Sequence, residues 1–212
     1  MTKKATIEFV EADSPITERV TKFGGQPVWV DQPQWPLSRE TGNPMRFICQ
    51  IALDDSWFPD VKGQMAYLFM TEEEDDQFVD GTYEPDGGEN AVIVQPGSTQ
   101  CKVTDQATGP TLFRMVKKEG FDRLQREPCE FATNLIEGID VEAVDDGFEE
   151  NKVGGIPVFF QGEEYPSGGP WLFLLQLDST SVPFYVNFGD AGVGYAFLHE
   201  NGDHGKFHWQ CS

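Results

Sequence analysis

The chain has 212 residues, with 36 Asp plus Glu against 15 Lys plus Arg and a formal net charge of −21. Such a surface repels phosphate backbones and anionic lipid at long range, which argues against nucleic-acid and membrane partners and leaves a basic protein as the macromolecule it would attract. The length is enough to bury one proper core without division into domains.

The amino terminus, M-T-K-K-A-T-I-E, has no apolar stretch after its basic residues, and no window approaches the ~18 apolar residues of a membrane span. Neither a signal peptide nor a transmembrane segment is expected. Alternation over Thr6 to Val10 predicts an opening strand that Asp13-Ser14-Pro15 ends. K-F-G-G-Q-P-V-W-V follows from Lys22, then the apolar run F-I-C-Q-I from Phe47, then a buried strand over Met65 to Met70. T-E-E-E-D-D-Q takes the chain into water, and Gly87-Gly88 turns it back towards A-V-I-V. Over residues 111–127 the spacing of Leu112, Met115, Val116 and Leu124, opened by Pro110-Thr111 and closed by Pro128, predicts a helix. I-D-V-E-A-V from Ile139 alternates as a further strand. K-V-G-G-I-P-V-F-F then opens at Lys152, and the apolar L-F-L-L-Q-L run follows from Leu172. Asn201-Gly202-Asp203 reads as a turn between strands Tyr195 to Leu198 and Lys206 to Trp209.

The two Gly-Gly-x-Pro segments are copies of one unit. Trp35-Pro36 matches Tyr165-Pro166, and Phe47, Gln50 and Ile51 match Phe173, Gln176 and Leu177. Gly63, Tyr67 and Phe69 match Gly192, Tyr195 and Phe197. The expected fold is predominantly β with minor helix (α+β), an internal duplication of two β-rich halves related by a pseudo-two-fold and packed into one body. Half one spans about 1–100 and half two about 129–212, with the helix of 111–127 connecting them inside a single domain of residues 1–212. Nothing in the sequence sets the oligomeric state.

Most of the conspicuous motifs read as duplicated scaffold. Gly24-Gly25 and Gly154-Gly155 match neither phosphate-loop pattern. With Pro27 and Pro157 they read as tight turns leading into edge strands. Gln50 and Gln176 end apolar strands, where a buried amide must tie down neighbouring backbone. Cys49, Cys101, Cys129 and Cys211 show no C-x-x-C spacing, and Cys49 lies inside an apolar run, so reduced thiols in the cytoplasm are expected.

Three sets of residues could carry chemistry or binding. Trp35 and Trp57, beside proline turns, are candidates to line a groove, and Glu72, Glu73, Glu74, Asp75 and Asp76 would steer a basic partner to it. His204, His208 and Cys211 are potential zinc ligands, but their spacing fits no zinc pattern, and no metal or other cofactor is expected. Ser167 in Y-P-S-G-G is no nucleophile elbow. The best acid–base pair is Asp190, on the turn G-D-A-G, with His199.

T-K-F-G-G-Q-P at Thr21, P-M-R-F-I-C-Q-I at Pro44, L-L-Q-L-D-S from Leu174, F-G-D-A-G-V-G-Y-A-F from Phe188 and the closing F-H-W-Q-C resemble the YwqG-like family of uncharacterised bacterial proteins. The resemblance runs from about residue 20 to the end. Asn187-Phe188 departs from it, since the family tends to have tryptophan near that glycine. It implies a cytoplasmic, duplicated β protein, with no catalytic residue to carry over, and members lie near toxin and immunity genes. The resulting expectation is an intracellular protein-binding module, of the immunity type, that occludes a basic toxin. The alternative is a small-molecule hydrolase using Asp190 and His199, with or without a metal, and a non-enzyme is favoured.

Overall fold

The computed structural model describes residues 2–212 except 60, 62, 73–77, 122 and 141–149. In chain order the strands are β1 (Thr2–Glu11), β2 (Lys22–Gly24), β3 (Trp35–Pro36), β4 (Arg46–Ala52), β5 (Met65–Met70), β6 (Asn90–Gln95) and β7 (Val103–Thr104). They continue as β8 (Phe113–Val116), β9 (Gln125–Pro128), β10 (Glu130–Asp140), β11 (Lys152–Gly154), β12 (Trp171–Asp178), β13 (Val193–His199) and β14 (Gly205–Gln210). A closed barrel runs β1-β10-β2-β4-β5-β6-β14-β13-β12-β11, and β3–β7 and β8–β9 form two small two-stranded sheets. Closure gives every strand of the main sheet a neighbour on both sides.

The expectation of an α+β fold with a minor helix is corrected here, because the described residues contain strands and turns and no helix. The segment 111–127 holds the β8–β9 hairpin, with Phe113 opposite Pro128 and Val116 opposite Gln125. Its apolar spacing does not mark one face: Leu112 is fully buried, whereas Leu124 is 53% exposed. Gly120, at φ 83°, adopts the left-handed conformation of a turn, which interrupts any helix through this point. The strand expected from Ile139 falls partly in residues 141–149, outside those described; Ile139 and Asp140 end β10.

Each half of the barrel is completed by a strand of the other. β1 precedes β2 in the chain yet pairs with β11, and β10 precedes β11 yet pairs with β2. β1 and β10 also pair with each other along their whole length, from Thr2 opposite Asp140 to Glu11 opposite Phe131. On the far side β6 meets β14 at Val92 and Gly205. Both seams therefore join half one to half two.

Period-2 alternation gives the central strands β4, β5, β6 and β13 two buried faces. From β5, Ala66, Leu68 and Met70 point into the barrel with Ile51, Leu177, Leu198 and Phe207. Met65, Tyr67 and Phe69 point outwards and are buried with Trp35, Phe47 and Ile93. In half two the corresponding outer layer is Phe173, Val193, Tyr195 and Phe197, with Phe159 and Trp171 packed against it. β4 and β12 each shift register at the matching place, between Phe47 and Cys49 and between Phe173 and Leu175.

Matching polar ties hold the covering segments down. Tyr67 Oη donates to Val28 O and accepts from Val30 N; Tyr195 Oη donates to Val158 O and accepts from Phe160 N. Gln50 Oε1 accepts from Val28 N and Gln176 Oε1 from Val158 N, while their amides donate to Val20 O and Glu150 O. Gln95 and Gln210 tie Asp31 N and Gln161 N. Gly25 and Gly155 have φ 65° and 82°, and a Cβ there would strike the carboxylates of Glu130 and Asp140. Those carboxylates neutralise the fully buried Lys22 and Lys152, at 2.5 and 2.9 Å. A buried ammonium needs such a partner.

Candidate functional site

A cleft of about 660 Å³ opens over the β6–β14 seam, with walls from both halves. Half one contributes Arg39, Asp86 and Lys102, and half two Trp171, His204 and Lys206. The volume is that of a small-molecule pocket. Among the described residues lining it, Arg39, Lys102 and Lys206 are basic and Asp86 alone is acidic, the reverse of the balance in a chain of net charge −21.

The turn between β13 and β14 is held by backbone hydrogen bonds within it and from half one. His199 N donates to His204 O at 2.9 Å and Gly202 N to His199 O at 2.7 Å, with Gly202 at φ 67°. Half one clamps the turn from outside, through Gly63 N to Gly202 O at 3.1 Å and Ser98 N to Asp203 O at 2.7 Å. On this platform Asp203 Oδ1 lies 2.6 Å from His204 Nδ1. An ionised carboxylate can only accept, so Nδ1 carries the proton, and whenever the ring is neutral Nε2 keeps its lone pair. His199 is the opposite tautomer: its Nδ1 accepts from Asn201 N at 3.2 Å, so its Nε2 carries the proton. The two rings stack at 4.6 Å and 19°, and Trp171 packs nearly perpendicular to both, at 5.3 and 5.6 Å. The turn thus presents one imidazole as acceptor and one as donor, side by side.

Among the described residues, His199, Asp203 and His204 form the group whose ligand atoms lie within 4.8 Å of one another. A metal binds imidazole in the plane of the ring, and two nearly parallel stacked rings do not share such a point. Metal ligation would require one ring to turn out of the stack.

The residues singled out from sequence are distributed as follows. Asp190 is exposed, its carbonyl accepting from Ser212 N, and it stands beyond the opposite end of β13 from His199. The strand between them spans roughly 20 Å at ~3.3 Å per residue, so the structure does not bring the pair together. His208 is fully buried in the outer layer, its ring parallel to Phe159 and Phe197. Burial pushes its pKa down to about 4, and neither ring nitrogen has a hydrogen-bond partner among the described residues. His204 sits at the rim, and Cys211 lies beyond the far end of β14. Trp35 is fully buried and donates its Nε1 proton to Met45 O. Trp57 is half-buried and lines a second groove with Tyr165 and Trp171. Glu72 pairs with Arg46 at 2.9 Å; Glu73, Glu74, Asp75 and Asp76 lie outside the described residues.

Sequence reasoning passed over Asp203, Lys206, Arg39 and Trp171. A signal for two positions lay in the duplication itself. Gln95 and Gln210 are equivalent by their ties, which makes Glu89 and Ala91 the counterparts of His204 and Lys206. The halves keep the same residue types at the ties and differ where they face the cleft.

A family model described as "Domain of unknown function (DUF1963)" matches residues 21–207. The chain belongs to the DUF1963 family. The matched span covers the seam, the cleft and the β13–β14 turn, and begins after β1. None of the curated proteins compared matches this DUF1963 chain. No helix of the described residues is long and apolar enough to cross a membrane.

Proposed function

We propose that this DUF1963 chain is a small-molecule hydrolase, with His204 as general base and Asp203 as the group that orients it. The observation that carries the reading is the 2.6 Å Asp203–His204 contact at the wall of the cleft. In the proposed step Nε2 of His204 takes a proton from water and the resulting hydroxide attacks the electrophilic centre. The leaving group recovers the proton from His204 as its bond breaks, while Nε2–H of His199 donates to the developing oxyanion. Asp203 stabilises the transient imidazolium. Asp190 has no part in this scheme.

The finer likeness to YwqG-like proteins, carried by L-L-Q-L-D-S and G-D-A-G, brings no activity with it. Toxin occlusion has less to draw on, since Trp35 is buried and Glu72 is held by Arg46. The free thiols of Cys49, Cys101, Cys129 and Cys211 suit a reducing compartment, and we place the reaction in the cytoplasm.

Turnover of 4-nitrophenyl acetate and 4-nitrophenyl phosphate, followed by nitrophenolate release, tests the assignment. His204→Gln is expected to lower kcat by about 10²- to 10⁴-fold with little change in KM, and Asp203→Asn by a smaller factor. Turnover that is absent for both probes, or unchanged in His204→Gln, overturns it.

A further inference from the structure

We infer that the cleft is built for a phosphate monoester carried on a planar ring. The inference rests on the reading of this cleft as a small-molecule site but not on the catalytic role of His204. Three observations converge. The basic lining residues Arg39, Lys102 and Lys206 come from three separate segments of the chain and meet in a protein of net charge −21. A dianion held between guanidinium and ammonium groups is the ligand such a lining stabilises best.

Trp171 supplies a flat apolar wall beside those charges. Lys206 Nζ lies 5.6 Å from its ring centroid, so the cation and the surface on which a planar group would stack form one unit. Lys206 is meanwhile held by Asp86 Oδ2 at 2.8 Å and Ser167 O at 3.2 Å, and Arg39 donates to the backbone carbonyl of Asp86 at 3.2 Å. Asp86, with its side chain 66% exposed, occupies the place of an anion on Lys206 and would be displaced by a ligand phosphate.

The third observation is the loss of pseudo-symmetry at this place. Half one has Ala91 where half two has Lys206, in strands β6 and β14 whose correspondence is set by the equivalent ties of Gln95 and Gln210, the one residue the two strands share. The lysine is not required by the fold, because the equivalent strand is made without it.

Binding of 4-nitrophenyl phosphate, inorganic phosphate and the uncharged 4-nitrophenyl acetate is measured by amide-shift NMR titration under low-salt conditions. The phosphate ester is expected to bind at least tenfold more tightly than either other probe, with shifts at the Trp171 indole and Lys206. Lys206→Gln and the exposed Arg39→Gln should each weaken it about tenfold, Trp171→Leu should remove the preference over inorganic phosphate, and Lys117→Gln, on the β8–β9 hairpin, should change nothing. Asp86→Asn should tighten binding several-fold by removing the internal competitor, a gain that misfolding cannot produce. Equal affinity for the charged and uncharged probes, or Asp86→Asn and Arg39→Gln both without effect, overturns the inference. Binding that follows this pattern with turnover unaffected by His204→Gln leaves the inference standing and removes only the hydrolase assignment.

Discussion

At position 208 the outer layer of half two contains an imidazole where half one has Ile93, each opposite the tyrosine that ties down its covering segment. The two environments are otherwise alike, so His208 brings a titratable group into a site made for a hydrocarbon side chain. Its charged form is opposed by burial and only weakly helped by Glu164, the acidic group near enough to act on it. The folded pKa of about 4 lies below the ordinary histidine value of 6.5. Between these values the unfolded chain binds the proton and the folded chain does not. Stability therefore falls as pH drops through this window, by up to about 3 kcal/mol at its lower end. His208→Ile should abolish this component, so the wild-type and variant Tm values should separate progressively from pH 7 to pH 4 in calorimetry. Parallel curves for the two proteins would refute the account.

Among the elements, the covering segments are held by polar ties rather than by regular pairing. Gln176→Leu would leave Val158 N and Glu150 O without their side-chain partners, at a cost of about 1 to 3 kcal/mol. Hydrogen exchange should accelerate at the Val158 and Phe160 amides while the amides of β4 and β5 remain protected; uniform acceleration would mean that the glutamine supports the whole barrel instead. Much of this layer was legible in the sequence, because an amide at the end of an apolar run has few roles and Gln50 and Gln176 mark the same place twice. The hairpin of β8 and β9 was not legible: Leu112, Met115, Val116 and Leu124 have helical spacing, and only the tertiary contacts of Leu112 reveal that they do not share a face. Exchange of strands between halves was equally hidden, since pairing partners far apart in sequence leave no local pattern. The dyad escaped notice because Asp203 reads naturally as the end of a turn and becomes an orienting group only once Ser98 and Gly63 fix that turn.

For the whole molecule, the pairing of β1 with β11 and of β10 with β2 means that neither half has a finished sheet by itself. Fragments 1–108 and 109–212 are each expected to be unfolded as monomers and to assemble into a folded complex when co-expressed, detected by circular dichroism and sedimentation. An independently folded monomeric fragment would contradict this. Fragment 1–108 at high concentration should also dimerise, β1 of each copy serving the other. That is the geometry expected of a homodimer whose two genes became one. In such a dimer the cleft over the β6–β14 seam straddles the axis, so any change in one wall would appear in the other, and a ligand with two different ends would meet the same groups at both. A single chain carries no such constraint: one wall has Lys206 and the Asp203–His204 turn where the other has Ala91 and Glu89, so the two ends of an asymmetric ligand would meet different groups, which two identical subunits could not offer.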